Sequence, residues 1–111
     1  MTAQIVFALY RPHAGQDVAL RRLIARHVPA LRRLELITDR PSVLVRAGDG
    51  TYVEVFEWVS ETAAHIAHDY PDVAEIWDGM ELIADFATLA SLAEAQRPFT
   101  HFEPVELSPD R

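Results

Sequence analysis

Two stretches of this chain are apolar on both faces of an extended strand, and that feature restricts the fold more than any other. Across Gln4 to Arg11, alternate positions put Ile5, Phe7 and Leu9 on one side and Val6, Ala8 and Tyr10 on the other. Across Thr51 to Val59, Val53, Val55 and Val59 point one way while Tyr52, Phe56 and Trp58 point the other. Side chains alternate along a strand, so a strand without a polar face must lie between two covers. Helices supply one. The second is expected from another copy of the chain, because monomers seldom leave several contiguous aromatics in water. Burying each large side chain contributes roughly 1.5–3 kcal/mol, so four to six per subunit outweigh the cost of association. The expected partner is therefore the chain itself, as a homodimer through its sheet faces.

The remaining segments supply the helices and the edges. Gly15 and Asp17 offer a turn and a helix start, followed by Leu20, Leu23, Ile24, His27, Val28 and Leu31 at helical spacing. Pro29 is expected to kink or restart that helix. The runs Ser42 to Ala47 and Thr51 to Val59 flank Gly48-Asp49-Gly50, a hairpin signal. Ser60 is expected to cap a helix running to about Asp69, and Pro71 to open a second segment with Val73, Ile76, Trp77, Met80 and Ile83 on one face. A capping-box pattern at Ser91 to Glu94 suggests a short further helix, and Phe99 to Leu107 a last strand with Pro104 at an edge. The order β, α, β, β, α, β is that of a split βαβ unit. It predicts one α+β domain over residues 1–111, ferredoxin-like, with an antiparallel sheet and helices on one face.

Composition narrows the chemistry. There is no cysteine and no lysine, which removes thiol nucleophiles, disulfides, iron-sulfur clusters, Schiff-base chemistry and the phosphate-loop lysine. A net charge of -7 makes nucleic acid a poor partner, although residues 1–48 carry eight of the ten arginines. No stretch approaches the roughly 20 apolar residues of a membrane span, and the first ten residues lack a signal-peptide pattern, so a cytoplasmic, non-membrane protein is expected. No cofactor motif is present, and none of the nucleophile-elbow, metalloprotease or dinucleotide signatures occurs.

The segment GTYVEVFEWVSETAAHIAHDYPDV joins a strand ending in an aromatic residue to a serine-led helix that places a histidine ten residues after Trp58. It resembles the dimeric α+β barrel superfamily, in particular its antibiotic-biosynthesis monooxygenase-like members. That resemblance implies a barrel formed by two facing sheets and a small, often aromatic, ligand held between sheet and helices. It also implies a cofactor-independent oxidoreductase activity in some members, with His68 at the helix position that carries a pocket-directed histidine. The asparagine of the family's better understood oxygenase and haem-degrading branches has no counterpart here, because the sequence contains no asparagine.

Candidate site residues follow from these two readings. His68 is the candidate acid or base, needing only access to a ligand proton. Glu54 interrupts an aromatic strand face, so it is paired, solvated or used as an acid or base; Arg46 on the neighbouring strand is the expected ion-pair partner. Trp58, Tyr10, Phe7 and Trp77 are candidate stacking walls, with His65 beside the ligand. His65, His68 and Asp69 share a helix face at metal-ligand spacing, with His101 as a distant third ligand, but no metal is assigned. His27, in the apolar stripe of the first helix, could face a pocket or complete the packing, and is read as the latter. The alternative to an enzyme is a non-catalytic dimeric module for stress response or ligand carriage, in which these residues pack against one another and leave no cavity large enough for a bicyclic molecule.

Overall fold

A computed structural model describes residues 2–107. The chain is a small α+β domain with a five-stranded antiparallel sheet and helices. The strands are β1 (Gln4–Pro12), β2 (Val43–Arg46), β3 (Tyr52–Trp58), β4 (Ala84–Phe86) and β5 (Glu103–Pro104). The helices are α1 (Asp17–Arg33), α2 (Ala63–Ala67) and α3 (Pro71–Ile83), followed by two 3-10 turns, Leu89–Ser91 and Ala93–Gln96. The strand order is β4-β1-β3-β2-β5. Among the described residues no helix is long and apolar enough to cross a membrane.

The hairpin signal produces β2 and β3, paired from Val43 with Val55 to Arg46 with Tyr52. Its turn is closed by the Gly50 amide on Ala47 O and by the Thr51 amide on Asp49 Oδ1, with Gly50 at φ 94°, where a side chain is disfavoured. The central pair is β1 with β3, in register from Gln4 with Trp58 to Tyr10 with Tyr52.

Register decides the two faces. Tyr10, Tyr52, Phe56 and Trp58 turn toward the helices and pack with Leu20, Ile24, Leu31, Val73, Ile76 and Met80. The aromatic face of β3 was expected to need a second copy; instead the chain's own helices enclose it, leaving Tyr52 and Phe56 at 0% and 2% exposure. The outer face is the incompletely covered one. There Leu92, between the 3-10 turns, packs on Leu9, Val53 and Ala47, a cover not expected from the sequence. The neighbouring outer row is Phe7, Val55 and Val43, direct cross-strand partners, of which Phe7 and Val43 are 52% and 53% exposed.

Local structure departs from expectation at four places. First, α1 continues through Pro29 to Arg33 instead of restarting. It ends in a Schellman turn, with the Leu36 amide on Leu31 O and the Glu35 amide on Arg32 O, and Glu35 in the left-handed region at φ 59°. Second, α2 is short and begins after Thr62, because the Ser60 hydroxyl meets Thr62 Oγ1 and caps no helix amide. Third, Glu94 accepts the Gly48 amide at 2.8 Å, tying the 3-10 turns to the hairpin instead of closing a capping box. Fourth, β4 leaves α3 directly at Ala84 and pairs with β1 at Tyr10, Arg11 and Pro12, while the expected final strand shrinks to Glu103–Pro104 beside β2.

Candidate functional site

A cavity of about 430 Å³ lies between the helix-facing side of the sheet and the helices α1 and α3, with His68, just past α2, and Phe86 and Ala87 also in its lining. It opens along β1, whose outer edge β4 pairs only at Tyr10–Pro12. Val6, Ala8 and Tyr10 enter its wall from the helix side of β1, and Phe7 and Leu9 border it at the strand edge. Phe56 and Trp58 come from β3, His27 from α1, and Trp77, Asp78 and Glu81 from α3. His68 follows α2 directly and stacks edge-on against Trp77 with centroids 4.6 Å apart.

Five of the seven candidate residues therefore line one cavity: His68, Trp58, Tyr10, Phe7 and Trp77. His65 is exposed on α2 and does not line the cavity. Glu54 stands one layer behind the wall, and its partners differ from expectation. Arg46 sits over the Tyr52 ring and 3.8 Å from Asp17, not beside Glu54. Glu54 Oε1 instead takes the Tyr10 hydroxyl and His27 Nδ1, each at 2.8 Å.

This network explains how an acid survives on a buried strand face, since a buried carboxylate persists only with donors converging on it. Its hydrogen positions follow from chemistry. Indole N–H is a donor only, and Trp77 Nε1 gives it to His27 Nε2 at 2.8 Å. Nε2 is thus an acceptor, which leaves the imidazole proton on Nδ1, pointing at Glu54. The Tyr10 hydroxyl donates to the same carboxylate oxygen and lies 3.4 Å from His27 Nδ1. Burial first, and then the Glu54 charge and hydrogen bond, push the Tyr10 hydroxyl well above its ordinary value, so Tyr10 keeps its proton.

His27, read from sequence as packing, is buried but also lines the cavity and joins Trp77 to Glu54. The available signal was a histidine within an apolar helical stripe together with an acid on an aromatic strand face; the pairing of these two residues is tertiary information.

The other candidate chemistries disperse. His101 lies in a separate depression beside the hairpin turn, with Arg46, Glu94 and Glu103. Among the described residues no group of three or more His, Asp or Glu is placed to hold a metal ion. Two arginines of α1 face acids of α3, Arg26 with Glu75 and Arg33 with Asp72, both as exposed pairs. Compared with models of known protein families the chain matches none, and a search of curated proteins finds no match either.

Proposed function

We propose that this chain binds a small aromatic molecule in the cavity between its sheet and the helices α1 and α3, with His68 at the mouth as the acid–base group. The observation that carries this reading is a mostly apolar cavity, with six aromatic residues in its lining, backed by a buried polar network. Replacing buried polar or ionic pairs by apolar side chains of similar volume is often neutral or stabilising, so packing alone does not account for Glu54 and His27. A volume of about 430 Å³ falls in the usual range of small-molecule sites, roughly 300–1,000 Å³, and speaks against the filled, non-catalytic module. The enzymatic form of the reading is the cofactor-independent monooxygenase-like oxidation that the sequence resemblance implies, with Trp58 and Tyr10 flanking the ligand.

The proposed working unit is a homodimer built like a dimeric α+β barrel. The antiparallel order β4-β1-β3-β2-β5, with α1 and α3 on one face, supports a ferredoxin-like reading and through it this architecture. The Phe7, Val55 and Val43 row on the outer face is the surface a second copy would cover.

Titration of purified protein with neutral phenols and quinols, followed by tryptophan fluorescence and calorimetry, tests the binding. Replacing Trp58 with Ala is expected to weaken binding at least about tenfold, the equivalent of 1.4 kcal/mol. A His68→Ala variant with wild-type affinity across every compound the wild type binds removes His68 from the site.

A further inference from the structure

The cavity's charge pattern bears on the ligand's head group. Its wall includes the carboxylates of Asp78 and Glu81 and, among the described residues, no arginine. Behind the wall Glu54 is buried, and its two donors, the Tyr10 hydroxyl and His27 Nδ1–H, carry no positive charge, because Trp77 occupies the nitrogen that would complete an imidazolium. Tyr10 commits its single proton to Glu54, so an incoming group finds only lone pairs on that oxygen. His27 Nε2 is taken by Trp77. The inner wall therefore has acceptors to offer, and Trp58, Trp77 and Phe56 add aromatic rings whose faces are electron-rich. Only His68, at the mouth, can bring a cation to this lining.

An anionic head group would meet carboxylates, ring faces and lone pairs with no compensating donor from Tyr10 or His27. A protonated amine matches all three features, gaining Coulomb attraction, cation–π contact and acceptors. Resting on the ligand-binding reading above, we infer that the ligand is an aromatic molecule bearing a protonated amine, its ammonium turned toward the Tyr10 wall and the Asp78 and Glu81 rim.

Three probes of similar skeleton test this by calorimetry at low ionic strength: 2-phenylethylamine, 2-phenylethanol and 3-phenylpropionate. The amine is expected to bind most tightly and the carboxylate at least about tenfold more weakly than the amine. The Asp78→Asn/Glu81→Gln double variant changes only the rim, so the fold is preserved even if a Glu54→Gln variant proves unstable. Its amine affinity is expected to fall about threefold or more, in keeping with partly screened charges, while its alcohol affinity stays within about twofold. A carboxylate bound as tightly as the amine, or a rim variant that keeps the full amine preference, overturns the inference and leaves the aromatic pocket standing. If none of the three probes and none of the phenols binds, the pocket reading itself fails and this inference with it.

Discussion

The indole Nε1 of Trp77 donates to Nε2 of His27 across 2.8 Å, joining residues 50 positions apart, and this one bond sets the proton arrangement of the candidate site. It makes His27 the Nδ1–H tautomer, which in turn supplies one of the two donors that hold Glu54. Trp77 therefore acts on a carboxylate it does not touch.

Trp77→Phe should expose that dependence. The ring still fills much of the space, but Nε2 loses its donor, and imidazole correlation spectra should change from a single Nδ1–H form in the wild type to a mixture. Loss of a buried hydrogen bond also predicts a stability decrease of about 1–3 kcal/mol in urea unfolding. A wild-type spectrum showing the proton on Nε2 would contradict the arrangement.

Alkaline pH gives a second prediction. The Tyr10 hydroxyl is raised well above its ordinary value of 10.0 by burial and then by Glu54. Tyr52 is raised from the same value by burial, and then by its hydrogen bond to Asp17. Above that value the unfolded chain loses these protons while the folded chain retains them. The native state then binds more protons, and stability falls as pH rises. The contribution is fully present below the ordinary value. Urea midpoints are expected to fall as pH rises above about 10 and to keep falling toward the raised folded value, with a smaller fall in Tyr10→Phe. An equal fall in that variant would mean that Tyr10 ionises as freely folded as unfolded.

The α1 terminus offers a change in the opposite direction. Glu35 occupies the left-handed position of a Schellman turn, φ 59°, where glycine is favoured because it has no Cβ. The Glu35 amide bond to Arg32 is backbone and survives substitution. Glu35→Gly is therefore expected to stabilise the protein by about 0.5–1 kcal/mol, read as a raised urea midpoint at unchanged slope.

Much of the fold was legible in the residues, and the parts that were not have definite causes. The two-sided strands, the Gly48-Asp49-Gly50 hairpin and the Pro71 helix start carry local signals, and each produced its element. Glu35 concealed a helix end usually marked by glycine. β4 follows α3 without an intervening turn residue, so Ala84 to Phe86 reads as the end of the helix pattern. At the site, the wall residues Tyr10, Trp58, Trp77 and His68 stood out as aromatics and an ionisable group at strand and helix spacing. The partner of Glu54 did not, because Arg46 and His27 are equally plausible until α1 is laid across the sheet. Which apolar face is left bare was likewise a tertiary question, decided by helices enclosing the aromatic side and by Leu92 reaching only part of the other.

Leu92 shows how much that partial cover matters. It is 1% exposed although it sits between two short 3-10 turns, and it buries the row of Leu9 and Val53. Leu92→Ala is expected to cost about 2–5 kcal/mol, a core-sized loss from a segment with little regular structure. The same segment is fastened by Glu94 on the Gly48 amide, a bond that lowers the Glu94 carboxyl below its ordinary value. Hydrogen exchange at Gly48 should therefore quicken in Glu94→Ala, which has no acceptor to offer, and in the wild type as acid protonates that carboxylate. Unchanged exchange at Gly48 in the variant would show that the fastening is not maintained in solution.

At the border of the Leu92 cluster, Phe7 and Val43 stay open to water on the outer face, on either side of the half-buried Val55. Apolar cross-strand partners in one row make a continuous strip, and a second copy laid sheet to sheet would bury it twice, once from each subunit. Sedimentation at micromolar concentration is expected to give twice the 12.5 kDa chain mass. Val43→Asp should return the single-chain mass with an unchanged circular dichroism spectrum, because Val43 is exposed and borders no part of the ligand cavity. Phe7→Asp should do the same and, because Phe7 also meets the cavity at the β1 edge, should weaken ligand binding as well. A wild-type chain that sediments as a monomer removes the dimer from the proposal, while the cavity, which lies wholly within one chain, keeps its own test.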